Sequence, residues 1–181
     1  MPKKKSLPGR SRGPAAEPIV SSSHLASGRS AELSEFEYGL ILASNAFNRW
    51  AVRCMGATGV KDMTITDVLV LHHINHRARE KKLADIAFTL NIEDTHVVNY
   101  SLKKLVGLGL VKTERRGKEV LYSTNEAGQA VCKRYFEIRE RVLVSNLLGT
   151  DDERLELREA ARFLRLLSGL YDQAARAATS L

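Results

Sequence analysis

The sequence holds no hydrophobic run approaching the roughly 18 apolar residues that a membrane span requires, so no membrane segment is expected. Cysteine is scarce. Cys54 and Cys132 stand singly in apolar-periodic segments, which argues against a disulfide framework and for packed, reduced thiols in a cytoplasmic protein. The lysines at the start have no apolar region behind them, and no secretory signal is expected. Catalytic signatures are missing too: there is no Gly-rich phosphate loop, nucleophile elbow, HExxH or paired-cysteine motif. The glycines at 107 and 109 follow a helical segment and precede a strand, the wrong setting for a dinucleotide fingerprint. A non-enzyme without a cofactor is the expectation.

What is abundant is positive charge, unevenly placed. The 181 residues carry a formal net charge of +7, and residues 1–30 supply +5 of it through Lys3, Lys4, Lys5, Arg10, Arg12 and Arg29 against Glu17. The remainder is nearly balanced, with 22 basic and 20 acidic groups. A basic balance points to polyanionic partners such as nucleic acid. The tail is rich in Lys, Pro, Gly, Ser and Ala, too poor in apolar residues to offset its ordering entropy, and is expected to be disordered over residues 1–31. It reads equally as a localisation signal, an arm tracking phosphates or a solubilising end.

Folding is expected over 32–181. SEFE, from Ser34, has the form of a capping box, and Phe36, Leu40, Ala43, Phe47, Trp50 and Cys54 follow a 4,3,4,3,4 spacing, the seam of a helix that packs along another. TITD, from Thr64, opens a second helix through Val68, Leu71 and Ile74. A basic break, HRAREKK, precedes a short helix, LADIAFTL, then a brief turn, then a helix over 94–106 capped by Asp94 or Thr95 with Val98, Leu102 and Leu105 facing inward. Two short helices joined by a tight turn make a helix-turn-helix.

LVKTER and EVLYST bracket RGK and read as a β-hairpin. Asn125 starts a long helix with Val131, Tyr135, Ile138 and Val142 at seam spacing, and a last helix carries Ala160, Leu164, Leu167, Tyr171, Ala174 and Ala178. The fold class is therefore mainly α with a small β-hairpin wing: a winged helix-turn-helix at 60–125 with long N- and C-terminal dimerisation helices at 32–58 and 126–180. Those apolar stripes exceed what a small winged unit can cover, and a homodimer would cover them. Phe36, Leu40, Phe47, Tyr135, Ile138, Leu164, Leu167 and Tyr171 are its candidate interface. Two-fold symmetry would place two recognition helices about 34 Å apart on a pseudo-palindromic site.

Candidate DNA contacts come from the outward faces. On the recognition helix they are Thr95, His96, Asn99, Tyr100, Lys103 and Lys104; on the wing, Arg115, Arg116 and Lys118. Asn99 could pair bidentately with adenine, and Lys103 is placed for phosphate. Glu93 and Asp94 read either as helix caps or as groups that reject wrong bases, with Lys103, Lys104 and Lys112 available to compensate their charge. His72 and His76 share a helix face at i, i+4, but no carboxylate or cysteine completes a ligand set, so no metal is expected. Cys54, beside Arg53, reads as a packed small hydrophobe ahead of a redox switch.

From about residue 32 to about residue 178 the chain resembles the MarR (multiple antibiotic resistance regulator) family of bacterial winged-helix repressors. The resemblance rests on TDVLVLHHI, on LADIAFTLNIEDTHVVNYSLKKLVGLGLV and on ERRGKEVLYSTNEAG leading into a long helix. Arg115 falls where the family's wing arginine lies, and Thr124, Asn125 and Gly128 stand in the family's Leu-Thr-x-x-Gly-like cap. The resemblance implies a homodimer with interlocked terminal helices, double-stranded DNA as partner, repression, and a small-molecule effector that releases DNA. A reading from another class stays beside it: a winged-helix protein-interaction module whose acidic recognition-helix start has abandoned DNA.

Overall fold

The computed structural model describes residues 18–27, 30–147 and 150–181. The chain divides into two compact units, residues 1–50 and 51–181. In the first, Ser23–Ala26 forms one turn of 3-10 helix and α1 (Ala31–Ala57) begins, reaching Trp50 within that unit. The disorder expected over residues 1–31 thus gives way to structure at Ser23–Ala26, while the lysines and arginines of the tail lie outside the described residues. The helix also starts three residues before the expected Ser34. The Ser34 hydroxyl donates to the Leu25 carbonyl, and Ser30 Oγ donates to the same carbonyl at 2.9 Å, so the serines close the preceding turn.

The second unit holds the end of α1 (residues 51–57), α2 (Ile65–Asn75), β1 (Lys81–Lys82), α3 (Leu83–Thr89), α4 (Thr95–Gly107), β2 (Val111–Arg116), β3 (Glu119–Thr124), α5 (Glu126–Arg139), α6 (Ser145–Leu147) and α7 (Asp151–Ala178). Its helix ends are set by local chemistry. Thr64 caps α2 in a full capping box with Asp67, as TITD predicts. Asn91 stops α3: at φ 52° it adopts the left-handed conformation that asparagine tolerates, while Ile92 N–H reaches back to the Ala87 carbonyl at 2.9 Å. Gly109 does the same for α4 at φ 69°, with Leu110 N–H bonded to the Leu105 carbonyl at 3.0 Å. Asp94 caps α4 by accepting from His96 N–H at 2.8 Å. α3 and α4 therefore meet through a short, hydrogen-bonded turn.

Met55, Leu71, Ile74, Ile86, Val98, Leu102 and Leu105 make the core of this unit, each sealed from solvent. Among them lies one carboxylate. Asp67, on α2, is completely buried and meets the Lys104 ammonium of α4 at 2.7 Å. Lys104 also donates to the Asp62 carbonyl, on a residue held at φ 60°. Burial pushes the Asp67 carboxyl up, but Lys104, Ser101 and the backbone and hydroxyl of Thr64 outweigh it and hold the group below its ordinary value.

The sheet has three strands, ordered β1-β3-β2 and all antiparallel. The hairpin lies where it is expected, with Arg116 opposite Glu119 across a two-residue loop in which Gly117 takes φ 62°. The third strand was not expected: Lys81 and Lys82, in the stretch read as a basic break, pair with Tyr122 and Leu121. Lys81 Nζ donates to the carbonyls of Ile74, His76 and Arg79, closing the turn after α2, in which Arg77 stands at φ 60°. At the other end of the hairpin Asn125 caps α5 through Gly128 N–H and donates to the Gly109 carbonyl at 2.7 Å. A Cβ on Gly128 would collide with the Leu110 carbonyl oxygen.

α5 runs into a π-helical turn, Glu140–Val144, which adds a residue to the helical repeat and rotates the side chains beyond it. Val142, at seam spacing in the sequence, lies within this turn and is exposed on the single protomer. Tyr135 also departs from its expected place at a dimer interface. It is buried within this unit, its ring 4.4 Å from that of His72 at 66°, and its carbonyl accepts from Cys54 Sγ at 3.7 Å. Burial pushes the Tyr135 phenol up to about 12, with Cys54 adding to it, and pushes the Cys132 thiol up to about 11. Cys54 is raised by burial as well, the state of an inert packed thiol. α7 is opened by a Thr150–Glu153 capping box and has no buried residue along its 28 positions.

Gly128→Ala is expected to lower stability by about 3 kcal/mol, at the upper end of overpacking costs because the obstacle is backbone; urea unfolding measures it. Lys104→Met, which leaves Asp67 buried and unpaired, should cost about 3–5 kcal/mol at neutral pH. The sign of its pH dependence is set by the depressed Asp67 carboxyl. The stabilisation is fully present above the unfolded aspartate value of about 3.9 and disappears as pH falls through the folded value, so wild type and variant converge in strong acid.

Candidate nucleic-acid interface

α4 turns Val98, Ser101, Leu102 and Leu105 into the core, which leaves His96, Tyr100 and Lys103, spaced i, i+4, i+7, as its outward ridge. Tyr100 is 70% exposed. Thr95 is exposed on one flank, and Asn99 is half-buried beside it. Five of the six recognition-helix candidates therefore share an accessible surface. The sixth does not behave as expected: Lys104 is turned inward onto Asp67, and its ammonium is engaged by that carboxylate and the Asp62 carbonyl instead of being presented to phosphate.

The wing separates its cations in the same way. Arg115, Arg116 and Lys118 are all exposed. Arg116, however, is held between Glu114 at 2.7 Å and Glu80 at 2.8 Å. The Arg116 guanidinium in turn holds the Glu114 carboxyl below its usual range. Lys82 pairs with Glu119 at 2.6 Å, fastening β1 to the hairpin. Arg115 and Lys118 make no ion pair among the described residues, and they are the cations that the wing tip offers.

Of the two acidic residues before α4, Asp94 has a structural task as the cap of that helix, which removes half of the reason to read this end as hostile to DNA. Glu93 is exposed. Two exposed apolar residues were given no role in the sequence reading: Val97, 43% exposed beside Val98, and Phe88 on α3, 88% exposed. Their signal was phase, since each sits about 100° from a core neighbour on its helix. His72 is half-buried against Tyr135, its Nε2 has no hydrogen-bond partner, and burial lowers its basicity. Among the described residues, no three His, Cys, Asp or Glu side chains gather as a metal site.

An open cavity of about 580 Å³ lies beside the turn between α3 and α4, lined by Phe88, Ile92, Glu93, Asp172 and Arg176 among others. Asn91 Nδ2 reaches Ser168 Oγ at 3.4 Å and Asp172 Oδ2 at 3.5 Å across its edge. No described helix is long and apolar enough to cross a membrane.

Comparisons with known proteins bear on this surface. Residues 63–128 match the family model described as a winged helix DNA-binding domain, a span that includes α2, the helix-turn-helix and the wing. No curated protein matches the chain in sequence. Among solved structures it is similar to a mutant of MarR from E. coli complexed with operator DNA, at 19% identity over 76% of this chain and 99% of that one, with a TM-score of 0.62. It is similar to a transcriptional regulator of the MarR family from Rhodococcus, at 15% identity over 76% and 95% of the two chains, TM-score 0.57. BpsR of Bordetella bronchiseptica, whose DNA binding is regulated by 6-hydroxynicotinic acid, matches at 20% identity over 68% and 96%, TM-score 0.53. Residues 63–128 thus match a winged helix DNA-binding domain, in a chain whose fold is similar to that of solved MarR-family regulators.

Proposed function

We propose that the protein is a cytoplasmic transcription regulator that binds double-stranded DNA sequence-specifically, as a homodimer on a pseudo-palindromic site, and represses by occluding polymerase. One observation carries this reading. The outward ridge of α4, His96, Tyr100 and Lys103, is exposed and makes no side-chain ion pair among the described residues, in the segment that matches a DNA-binding domain, and Arg115 and Lys118 stand ready on the wing. Thr95 and Asn99 join the base-reading set, while Lys103, Arg115 and Lys118 supply phosphate contacts. Lys104 and Arg116 hold the scaffold.

The dimer is supported by α7, which exposes Leu164 and Leu170 on a helix without a buried residue, and by α1, which exposes Ile41, Leu42 and Phe47. Apolar faces of that extent are covered in stable proteins. Phe36, Leu40, Ile138, Leu167 and Tyr171 extend the proposed interface. The cavity beside α3 and α7 is where a small-molecule effector would sit, a role supported by the regulation of BpsR by 6-hydroxynicotinic acid. Titration of that compound into the protein bound to a selected site should release the DNA.

Selection of random duplex DNA on the full chain at about 150 mM salt should recover a pseudo-palindrome with half-sites one turn apart. Recovery of no sequence at that salt would sink the reading and favour the protein-interaction module. On the recovered site, Arg115→Ala with Lys118→Ala should flatten the log-log dependence of affinity on salt by about 2, whereas Arg116→Ala should change it by less than about 1. Equal effects of all three would overturn the division of labour on the wing. Leu164→Glu is expected to dissociate the dimer in sedimentation; a variant that still sediments as a dimer removes α7 from the interface.

A further inference from the structure

We propose that Val97 reads the C5-methyl group of a thymine in each half-site, which makes the protein's specificity partly a specificity for an apolar feature of the base edge. The inference rests on the DNA-binding reading above and names the base chemistry that this reading leaves open.

The apolar demand of the α4 core is already met by Val98, Leu102 and Leu105, all sealed from solvent. Val97 is left on the outer flank with 43% of its surface in water. It does not stand alone there. It borders an open hollow of about 420 Å³ lined by Thr64, Thr66, His96, Val97, Tyr100 and Ser101. Thr64 and Thr66 border it from the start of α2, the Thr64 hydroxyl already accepting from Asp67 N–H at 3.2 Å, and Val97 and Tyr100 border it from the helix that would face the major groove.

A hollow bordered by both threonines and apolar side chains suits a nucleotide approached from the groove, whose base edge would meet the exposed Val97 and Tyr100. Only one base carries an apolar substituent on its major-groove edge. That base is thymine, and Ala, the Thr methyl and Phe are known to meet its methyl group. Val97 is of the same kind, and as a β-branched residue in a helix it is nearly fixed in χ1, so it presents its methyls with little entropy to lose. The flanking charge agrees with this occupant: Lys103, one turn beyond Tyr100 and nearly two beyond Val97, is exposed to hold an adjoining phosphate.

The test replaces thymine by deoxyuridine, which removes the methyl and leaves base pairing and every hydrogen-bonding group intact. On the site recovered by selection, each thymine is exchanged singly and in symmetric pairs, and Kd is measured for the wild type and for Val97→Ser, which puts a hydroxyl where the apolar methyls stood. The wild type should lose about fourfold in affinity at one thymine per half-site and about fifteenfold when both are exchanged, the worth of one and two buried methyl groups. Val97→Ser, at an exposed position that leaves the core untouched, should bind the thymine and uracil sites equally. A recovered site indifferent to uracil at every position overturns the inference while leaving the DNA-binding reading in place, as does a uracil penalty that Val97→Ser retains. Failure to recover any site overturns the DNA-binding reading, and this inference with it.

Discussion

Two helices of the winged unit are joined by a carboxylate that has no access to water. Asp67 belongs to the first turn of α2 and Lys104 to the last turn of α4, so the pair unites the positive end of one helix dipole with the negative end of the other. Each charge is favoured where it stands before the two meet. Their contact then fixes how α4 lies across α2, and with it the direction in which His96, Tyr100 and Lys103 point. A hydrophobic pair at these positions could give similar stability. What it would lack is register, because apolar surfaces slide where a 2.7 Å ion pair does not.

The charges of this protein divide into those consumed by its own architecture and those left for a partner. Lys81 closes a turn, Lys82 and Arg116 fasten the wing, and Lys104 neutralises a buried acid. Net charge is blind to that distinction. A tally of lysines and arginines over residues 94–118 overstates the outward positive surface, and the geometry reduces it to Lys103, Lys112, Arg115 and Lys118. The exposed pairs on the wing contribute little to stability individually, but together they orient a two-stranded tip that would otherwise twist freely.

Much of this was legible in residue order. Thr64 with Asp67, Asp94 and Asn125 announce helix starts through a chemistry that acts over three residues, and such signals survive whatever the tertiary context does. Gly117 between two strands needs only the local rule for tight turns. What escaped depends on contacts between distant segments. β1 is two lysines long, and only Tyr122 and Leu121 make it a strand. Ser34 resembles a cap until the Leu25 carbonyl claims its hydroxyl. Tyr135 has seam spacing but also faces His72 and Cys54, and periodicity cannot tell which of two apolar surroundings a residue will meet. On the candidate interface the outward ridge of α4 followed from helical phase, whereas Lys104 did not, because a four-carbon stem can carry a charge inward as easily as outward.

The third strand has a consequence for assembly. With β1 laid along one side of β3, the sheet keeps an open border at β2, six residues in length, and there Lys112, Thr113, Glu114, Arg115 and Arg116 all stand in solvent. A border so crowded with charge of both signs, and so short, is a poor template for a neighbouring chain. Two molecules meeting at their wings would have to strip water from those charged side chains in order to pair their strand backbones. Self-association by strand addition is thereby discouraged, and the helices remain as the surfaces through which like can recognise like.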